Sequence, residues 1–272
     1  MAAVCLRLEM SRQNYYARRR VRQTQDMETT LIVALVRAER QVQPRLGARK
    51  LRVVLAAALV AAGVKVGRDR LFKLLGENGL LLAPLPREYV RTTNSYHCLP
   101  VFVNLVKGLA VTGPHQVMVS DLTFIRTLEG FLYLSLITDR YSRKITGYHC
   151  GETLAAGGCV QALRMALAAL PAGALAIHHS DQGSQYCSHE YVGALTARGV
   201  RVSMTERDHC AENALAERMN GILKGEYGLG QTLATKAQAR RLVEEGIYLY
   251  NHRRPHTALN YQVPAVVHSL AA

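Results

Sequence analysis

The sequence predicts an α/β fold, with a mixed five-stranded sheet and flanking helices, preceded by a small basic all-α domain. Three strand-like runs come first in the back half and are followed by alternating helix-like and strand-like runs, the order of a mixed sheet covered by helices. The 272 residues are 49% hydrophobic, enough to bury a core. Residues 1–110 contain 19 Lys and Arg against 7 Asp and Glu, whereas residues 111–272 contain 15 against 13. This asymmetry is typical of a protein in which one part holds a polyanion and another acts on it, although a solvated basic surface with no partner would have the same composition.

Residues 1–83 predict a helical, helix-turn-helix-like DNA-binding region. Paired tyrosines precede an arginine cluster that would lie along phosphates, unless it is only the charged end of a packing helix. Residues 47–79 predict two helices around a turn bracketed by Gly63 and Gly67, a pattern that a plain helical hairpin would share. The residues predicted here to contact DNA are Arg18, Arg19, Arg20, Arg68, Arg70 and Lys73.

The rest of the chain divides into a linker, a catalytic core and a C-terminal segment. Residues 84–112 predict a linker because prolines recur and helical periodicity fades. Residues 113–228 predict the core, and residues 229–272 predict a helix ending at Tyr250, a basic turn and a tail. Within the core, strands are predicted at 116–124, 131–138, 144–149, in the run ending in Asp181 and at 201–205, with helices at 153–170 and 188–198.

Three carboxylates occur in sequence contexts that are unusual for solvent-exposed acids. Asp121 lies in the middle of a strand-like run, where Asp is disfavoured, and Asp181 ends a short buried strand. Glu217 lies on a predicted helical face that also presents Asn213, Asn220 and Lys224. The intervals of 59 and 35 residues mean that the acids can meet only through the tertiary fold. Such convergence would create repulsion that a bound divalent cation offsets.

The order of strand acid, strand-end acid and helix acid resembles the DDE transposase and retroviral integrase superfamily, whose catalytic domain has an RNase H-like fold. The nearer match is to the second open reading frame product of bacterial insertion sequences of the insertion sequence three type. The resemblance covers nearly the whole chain and depends on Val119–Thr123, His179–Tyr186, Ser203–Met204, Asn213–Ala214, Glu217, Leu223–Lys224, Glu226, Tyr250–Asn251 and Arg254–His256. The chain departs from the family at Met118, where tryptophan is usual, and at Asp208 and Ala211, where glycine and tyrosine are common.

The resemblance implies a DNA transposase or integrase. Such an enzyme cleaves phosphodiester bonds at the ends of an insertion sequence and transfers the freed 3′-OH into target DNA. Asp121, Asp181 and Glu217 would be both catalytic residues and metal ligands, holding two Mg²⁺ or Mn²⁺ ions. Hard cations of this class take carboxylate oxygens in preference to histidine or cysteine.

Other residues are expected to assist the three acids. Asn220, Lys224, Arg253 and Arg254 are expected to contact DNA. His179 and Asn213 are expected to support the acids without binding metal, because at most one of two adjacent strand residues, His178 and His179, can face the site. Asn213 would either orient Glu217 or cap its helix.

The expected partners are double-stranded DNA, further copies of the chain on DNA, and an upstream open reading frame product joined by frameshift fusion. The alternative function is a catalytically inactive DNA-binding relic or repressor-like protein of the same family, and the three intact acids favour the enzyme. Six scattered cysteines form no C-x-x-C pair, and no uncharged apolar run approaches the length of a membrane span. A protein of the bacterial cytoplasm, associated with the nucleoid when bound to DNA and with no membrane partner, is therefore expected.

Overall fold

The computed structural model describes residues 5, 7, 9–84, 97–206 and 213–270. The chain divides into two compact units, residues 1–84 and residues 85–272. Helices of the first unit are α1 (Arg12–Val42), α2 (Ala48–Val54), α3 (Ala56–Ala61) and α4 (Arg68–Glu77). The predicted all-helical N-terminal region is therefore confirmed.

The long helix α1 is supported along only part of its length. It begins after Ser11, whose hydroxyl oxygen accepts a hydrogen bond of 3.1 Å from the backbone N–H of Asn14. Residues 16–27 are all exposed, and the helix first buries side chains at Ile32 and Val33. The later turns of α1 pack on leucines of α2, α3 and α4, so the small core lies beside the C-terminal half of this helix.

The turn that connects α3 to α4 follows the sequence closely. Gly63 has a φ of 70°, a left-handed conformation that favours glycine, and Gly67 is the N-cap of α4. One difference is that the first predicted helix of this pair is divided at Leu55, which ends α2 and begins α3.

The second unit contains the sheet. Its strands are β1 (Val117–Thr127), β2 (Gly130–Asp139), β3 (Ile145–Gly151), β4 (Ile177–Ser180) and β5 (Arg201–Met204). Its helices are α5 (Ala156–Ala168), α6 (His189–Ala197), α7 (Ala214–Glu226), α8 (Lys236–His252) and α9 (Pro264–Leu270), with a 3₁₀ turn at Thr257–Leu259.

The five strands form one mixed sheet in the order β3-β2-β1-β4-β5. β1, β2 and β3 pair antiparallel, whereas β4 is parallel to both β1 and β5. Helices cover both faces: α5 and α6 pack on the cluster around Leu122 and Ile137, and α7 and α8 pack on the cluster around Ile125 and Leu134. The predicted mixed sheet with flanking helices is therefore confirmed, with β1 at its centre.

Helix α5 approaches the sheet closely at Gly147 of β3. A Cβ atom at that position would lie 2.2 Å from the backbone oxygen of Ala162, so only glycine allows this packing. The contact fixes the distance between α5 and the sheet.

Two segments differ from what the sequence predicts. Residues 97–112 fall in the predicted linker, yet Val106 is buried against Val117 and Val119 of β1, so this described part of the linker packs on the sheet. The predicted C-terminal tail forms the 3₁₀ turn and α9, where His268 Nδ1 lies 2.9 Å from the hydroxyl oxygen of the buried Ser142. None of the helices in the described ranges combines the length and apolar character that a membrane crossing requires.

Candidate active site

The central parallel pair of strands brings two of the predicted acids side by side. Val117 pairs with Ile177 and Val119 with His179, so continuing this register by two residues sets Asp121 beside Asp181. Asp121 lies inside β1, and Asp181 follows the last residue of β4. Both carboxylates are half-buried at the middle of the sheet.

Both carboxylate oxygens of Asp121 accept hydrogen bonds. Oδ1 accepts a hydrogen bond of 2.9 Å from the backbone N–H of Leu122, and Oδ2 accepts one of 2.7 Å from the side-chain amide of Asn220. Burial and, less strongly, the nearby Asp181 raise the pKa of Asp121 to about 7, and the bond from Asn220 opposes the increase. A carboxylate so desolvated and crowded has a strong electrostatic preference for a cation.

Helix α7 carries the third acid and is fastened to β1 at two points. The side-chain amide of Asn213 donates a 2.9 Å hydrogen bond to the backbone oxygen of Ser120, and Asn220 binds Asp121 one turn beyond Glu217. Glu217 lies in the first turn, is exposed, and is near enough to contribute to the raised pKa of Asp121. The sequence offered two roles for Asn213, and its side chain makes no capping bond to the helix but ties the helix to the strand.

The three acids do not close into a compact cluster. Within the described ranges, no group of three or more His, Cys, Asp or Glu side chains stands close enough to hold a metal ion together. Glu217 is exposed, whereas Asp121 and Asp181 are half-buried.

The donors present nevertheless suit a hard divalent cation. All three acids offer carboxylate oxygens, and the buried Oδ1 atom of Asn220 has no hydrogen-bond partner beside Asp121. A buried amide oxygen without a partner is costly, and a cation or its water would satisfy it. The chemistry of this site therefore fits the metal that the sequence implies.

A buried polar network that sequence analysis missed lies directly behind the acids. His178 Nε2 lies 2.6 Å from the hydroxyl oxygen of Ser120 and 2.8 Å from that of Tyr191. Burial, with a smaller contribution from adjacent His179, lowers the pKa of His178 to about 3, so its imidazole is neutral. Ser120 precedes Asp121, so this network links the two acid-bearing strands to α6. A mid-strand serine next to the aspartate was its only sequence signal.

The remaining polar residues near Asp181 support the backbone around it. His179 Nδ1 lies 2.9 Å from the hydroxyl oxygen of Ser203, which joins β4 to β5. Asp181 Oδ1 accepts a 3.0 Å bond from the backbone N–H of Gly183, and the side-chain amide of Gln182 donates to the backbone oxygen of Thr205 at 2.8 Å. These bonds fix the loop that follows Asp181.

Two residues predicted to contact DNA are buried and bonded to carboxylates of the protein itself, which corrects those predictions. Asn220 is buried and donates to Asp121, so it orients the acid. Arg254 is 2% exposed and binds Glu226 through two hydrogen bonds, Nε to Oε2 and Nη2 to Oε1, each 2.7 Å long. A guanidinium in this fork cannot reach a phosphate without breaking a buried ion pair.

The other predicted DNA contacts are found in varied environments. In α4, Arg68 pairs with Asp69 at 2.8 Å, and Arg70 pairs with Glu28 at 2.5 Å. Lys224 lies on the same helix as Glu217, with its Nζ 4.1 Å from the ring centre of Phe124. The residues with exposed side chains are Arg18, Arg19, Arg20, Arg68, Lys73 and Arg253.

Of the three positions at which the chain departs from the resembled family, Met118 lies within the described residues. Met118 is 2% exposed and packs in the core cluster with Leu122, so it fills an apolar site. Asp208 and Ala211 lie outside the described residues.

Comparison with known proteins agrees with this geometry. Two family models, each described as an integrase core domain, match residues 111–210 and 198–264. The chain is 38% identical over 232 residues to the insertion element IS600 uncharacterized 31 kDa protein of Shigella sonnei, covering 83% of this chain and 84% of that protein. The chain belongs to the IS3-type family of insertion-sequence transposases.

Further similarities are consistent with membership of the IS3-type family. Transposase InsF for insertion sequence IS3A of Escherichia coli K12 is 33% identical over 179 residues, which cover 65% of this chain and 62% of that transposase. A chain in the cryoEM structure of the simian T-cell lymphotropic virus intasome in complex with PP2A regulatory subunit B56 gamma aligns with a TM-score of 0.50 at 18% identity. That alignment covers 82% of this chain and 74% of the solved chain and supports the RNase H-like fold.

Proposed function

We propose that this protein is a DNA transposase that cleaves phosphodiester bonds at the ends of its insertion sequence and joins the freed 3′-OH ends to target DNA. The observation that carries the proposal is the proximity of Asp121 in β1 to Asp181, which follows the parallel strand β4, beside a helix that bears Glu217 and is tied to β1. Membership of the IS3-type family supports the assignment.

The three acids would hold two Mg²⁺ or Mn²⁺ ions, which supply an activated hydroxyl and neutralise charge at the phosphorus. The protein's own residues set the positions of the acids. The amide of Asn220 orients Asp121, and the N–H of Gly183 orients Asp181. Lys224, on the helix of Glu217, would attract the DNA backbone beside the acids.

Double-stranded DNA is the proposed substrate and partner. The exposed arginines of α1, Arg18, Arg19 and Arg20, would bind its backbone, and Arg253 would add a contact from the second unit. Several copies of the chain on DNA, together with the product of the upstream open reading frame, complete the proposed assembly.

Cleavage and strand joining on labelled duplexes that carry the element's own ends test the proposal. Asp181→Asn removes one carboxylate charge with little change in volume, so we expect metal-dependent product to fall by about 10³-fold or more. Glu190→Gln is the control, because it makes the same change from carboxylate to amide at an exposed acid in the first turn of α6. Its activity should equal that of the unsubstituted protein.

The opposite result has a defined meaning. If the unsubstituted protein binds DNA but forms no product with either metal, even with the upstream product supplied, the protein is the inactive DNA-binding member of the family. Equal activity of Asp181→Asn and Glu190→Gln would remove Asp181 from the chemistry.

A further inference from the structure

A cavity of about 440 Å³ opens at the end of the sheet where β1 begins and β2 ends. The turn after β2 contributes Arg140, Tyr141 and Arg143, and the segment between α8 and α9 contributes Asn260 and Gln262. The described residues that line the cavity include no acidic side chain. The cavity is therefore polar and positively charged.

This cavity is separate from the three acids. The backbone N–H of Arg140 donates a 2.8 Å bond to the backbone oxygen of Val117, at the first residue of β1. Asp121 is four residues farther along the strand, which is about 14 Å at the rise of an extended chain. A ligand in the cavity would thus be a second ligand and not the one that the acids act on.

The two arginines have unused capacity to bind an anion. Among the described residues, the buried Nε atom of Arg143 has no hydrogen-bond partner, and the guanidinium of Arg140 donates only to the backbone oxygen of Val106, at 3.3 Å. Neither forms an ion pair with any described residue. The neighbouring carboxylate of Asp139 is already engaged by three hydrogen bonds, from the backbone N–H of His115 and from the N–H and hydroxyl of Ser142. Half-buried guanidinium groups with free donors favour a bound anion.

The backbone supports the same interpretation. Arg143 has a φ of 65° and Asn260 a φ of 52°, both in the left-handed region that disfavours residues other than glycine. Tyr261, next to Asn260, has a φ of 64°. Strained residues on both walls of one cavity are typical of a functional site.

We propose that this cavity binds a phosphate group through the guanidinium groups of Arg140 and Arg143. Paired guanidinium groups match the oxygens of a phosphate in charge and in hydrogen-bond geometry. The volume falls within the range of about 300–1,000 Å³ that small-molecule sites occupy, so the cavity has room for a phosphate-bearing ligand of nucleotide size. Tyr141 offers a ring, and Asn260 and Gln262 offer amides, to the rest of that ligand.

The phosphate has two possible sources, a free nucleotide or a strand of DNA. Binding of phosphate does not depend on the three acids, whereas its assignment to DNA rests on the proposed function. The experiment therefore measures binding alone, without cleavage.

Isothermal titration calorimetry of the full chain, with inorganic phosphate and with deoxyadenosine 5′-monophosphate, tests the proposal in phosphate-free buffer containing EDTA. We expect saturable binding that weakens at least about tenfold in Arg143→Gln, because a charge-assisted contact is lost. Arg201→Gln is the control, since Arg201 is an exposed arginine on the edge strand β5. Arg143→Gly should lose binding equally while relieving the positive φ, which separates lost binding from lost folding.

Two outcomes overturn the proposal. One is the absence of binding to the unsubstituted protein, and the other is equal affinity in all four proteins. If binding is present, a duplex that displaces the nucleotide identifies a DNA phosphate, and a duplex that leaves the nucleotide bound identifies a free nucleotide. The EDTA keeps these results independent of metal-dependent cleavage, so failure of the catalytic proposal would not be mistaken for failure of this one.

Discussion

The amide of Asn220 has a larger role than its position on the helix indicated. Its Nδ2 atom donates to Asp121 and opposes the rise of that pKa, to about 7, which burial and Asp181 cause. Its Oδ1 atom faces the same site without a partner. Asn220 therefore favours the charged form of Asp121 and holds its carboxylate in one orientation.

Replacing Asn220 tests this role. Asn220→Ala removes the bond that favours the carboxylate, so the pKa of Asp121 should rise. We expect the cleavage rate to fall about tenfold or more and the acid limb of the pH–rate profile to shift to higher pH. Asn78→Ala, which removes a side-chain amide bond to a backbone oxygen in the first unit, should change neither. An equal loss of rate at every pH would show that Asn220 only packs.

The neutral His178 links stability to pH. Its pKa is lowered to about 3 in the folded protein and is near 6.5 in the unfolded chain. Between these values the unfolded chain binds a proton that the folded protein does not, so the folded state loses stability as pH falls below about 6.5. At pH 5 the loss is about 2 kcal/mol.

His178→Gln isolates this titration. The substitution removes the proton-binding group, so the difference in unfolding free energy between the two proteins should shrink by about 2 kcal/mol from pH 7.5 to pH 5. Urea unfolding at both pH values measures it. The buried His268 is present in both proteins, and its titration cancels. A difference that stays constant with pH would contradict a neutral His178.

At this scale the sequence singled out the three acids as candidates but did not indicate what surrounds them. An aspartate inside an apolar strand is unusual enough to be noticed from its neighbours alone. The contacts of Ser120 with His178 and Tyr191 depend on the pairing of β1 with β4 and on the packing of α6, which no local pattern encodes. Arg254 was predicted to be a surface cation for the same reason, because its partner Glu226 lies 28 residues away.

Among the helices and strands, those with a clear sequence period were predicted, whereas the short C-terminal helix without one was missed. The strands and helices with clear alternation or helical spacing were predicted close to their observed positions, including β2 and α6. The C-terminal tail was predicted without a helix because α9 has only seven residues, too few to establish a period. That short helix is held by tertiary contacts such as His268 with Ser142.

The ion pair between Arg254 and Glu226 connects the end of α7 to the end of α8. Arg254→Met leaves Glu226 without its bidentate partner, so we expect a loss of about 3 kcal/mol in unfolding free energy. Arg240→Met breaks a bond to Glu152 in which both side chains are more than 40% exposed, and should cost less than about 1 kcal/mol. Urea unfolding followed by circular dichroism compares the two. Equal losses would mean that burial does not distinguish these pairs.

Across the whole molecule, positive charge and carboxylate chemistry belong to different units. Residues 1–84 contain 16 Lys and Arg against 6 Asp and Glu, and the exposed stretch of α1 includes Arg18, Arg19 and Arg20. The three acids all lie in the second unit. Such a division predicts that DNA affinity and cleavage chemistry respond to different substitutions.

Removing the α1 arginines tests that division. Each phosphate contact contributes about 0.9 to the slope of log affinity against log salt, so substituting all three with Gln should reduce the magnitude of that slope by about 1 to 3. The control removes three exposed arginines of the second unit, at Arg164, Arg201 and Arg241. Fluorescence anisotropy of a labelled duplex at several salt concentrations gives both slopes. If overall charge alone attracted DNA, the two triple variants would lose affinity equally, whereas a binding arm in α1 requires the larger loss in the first.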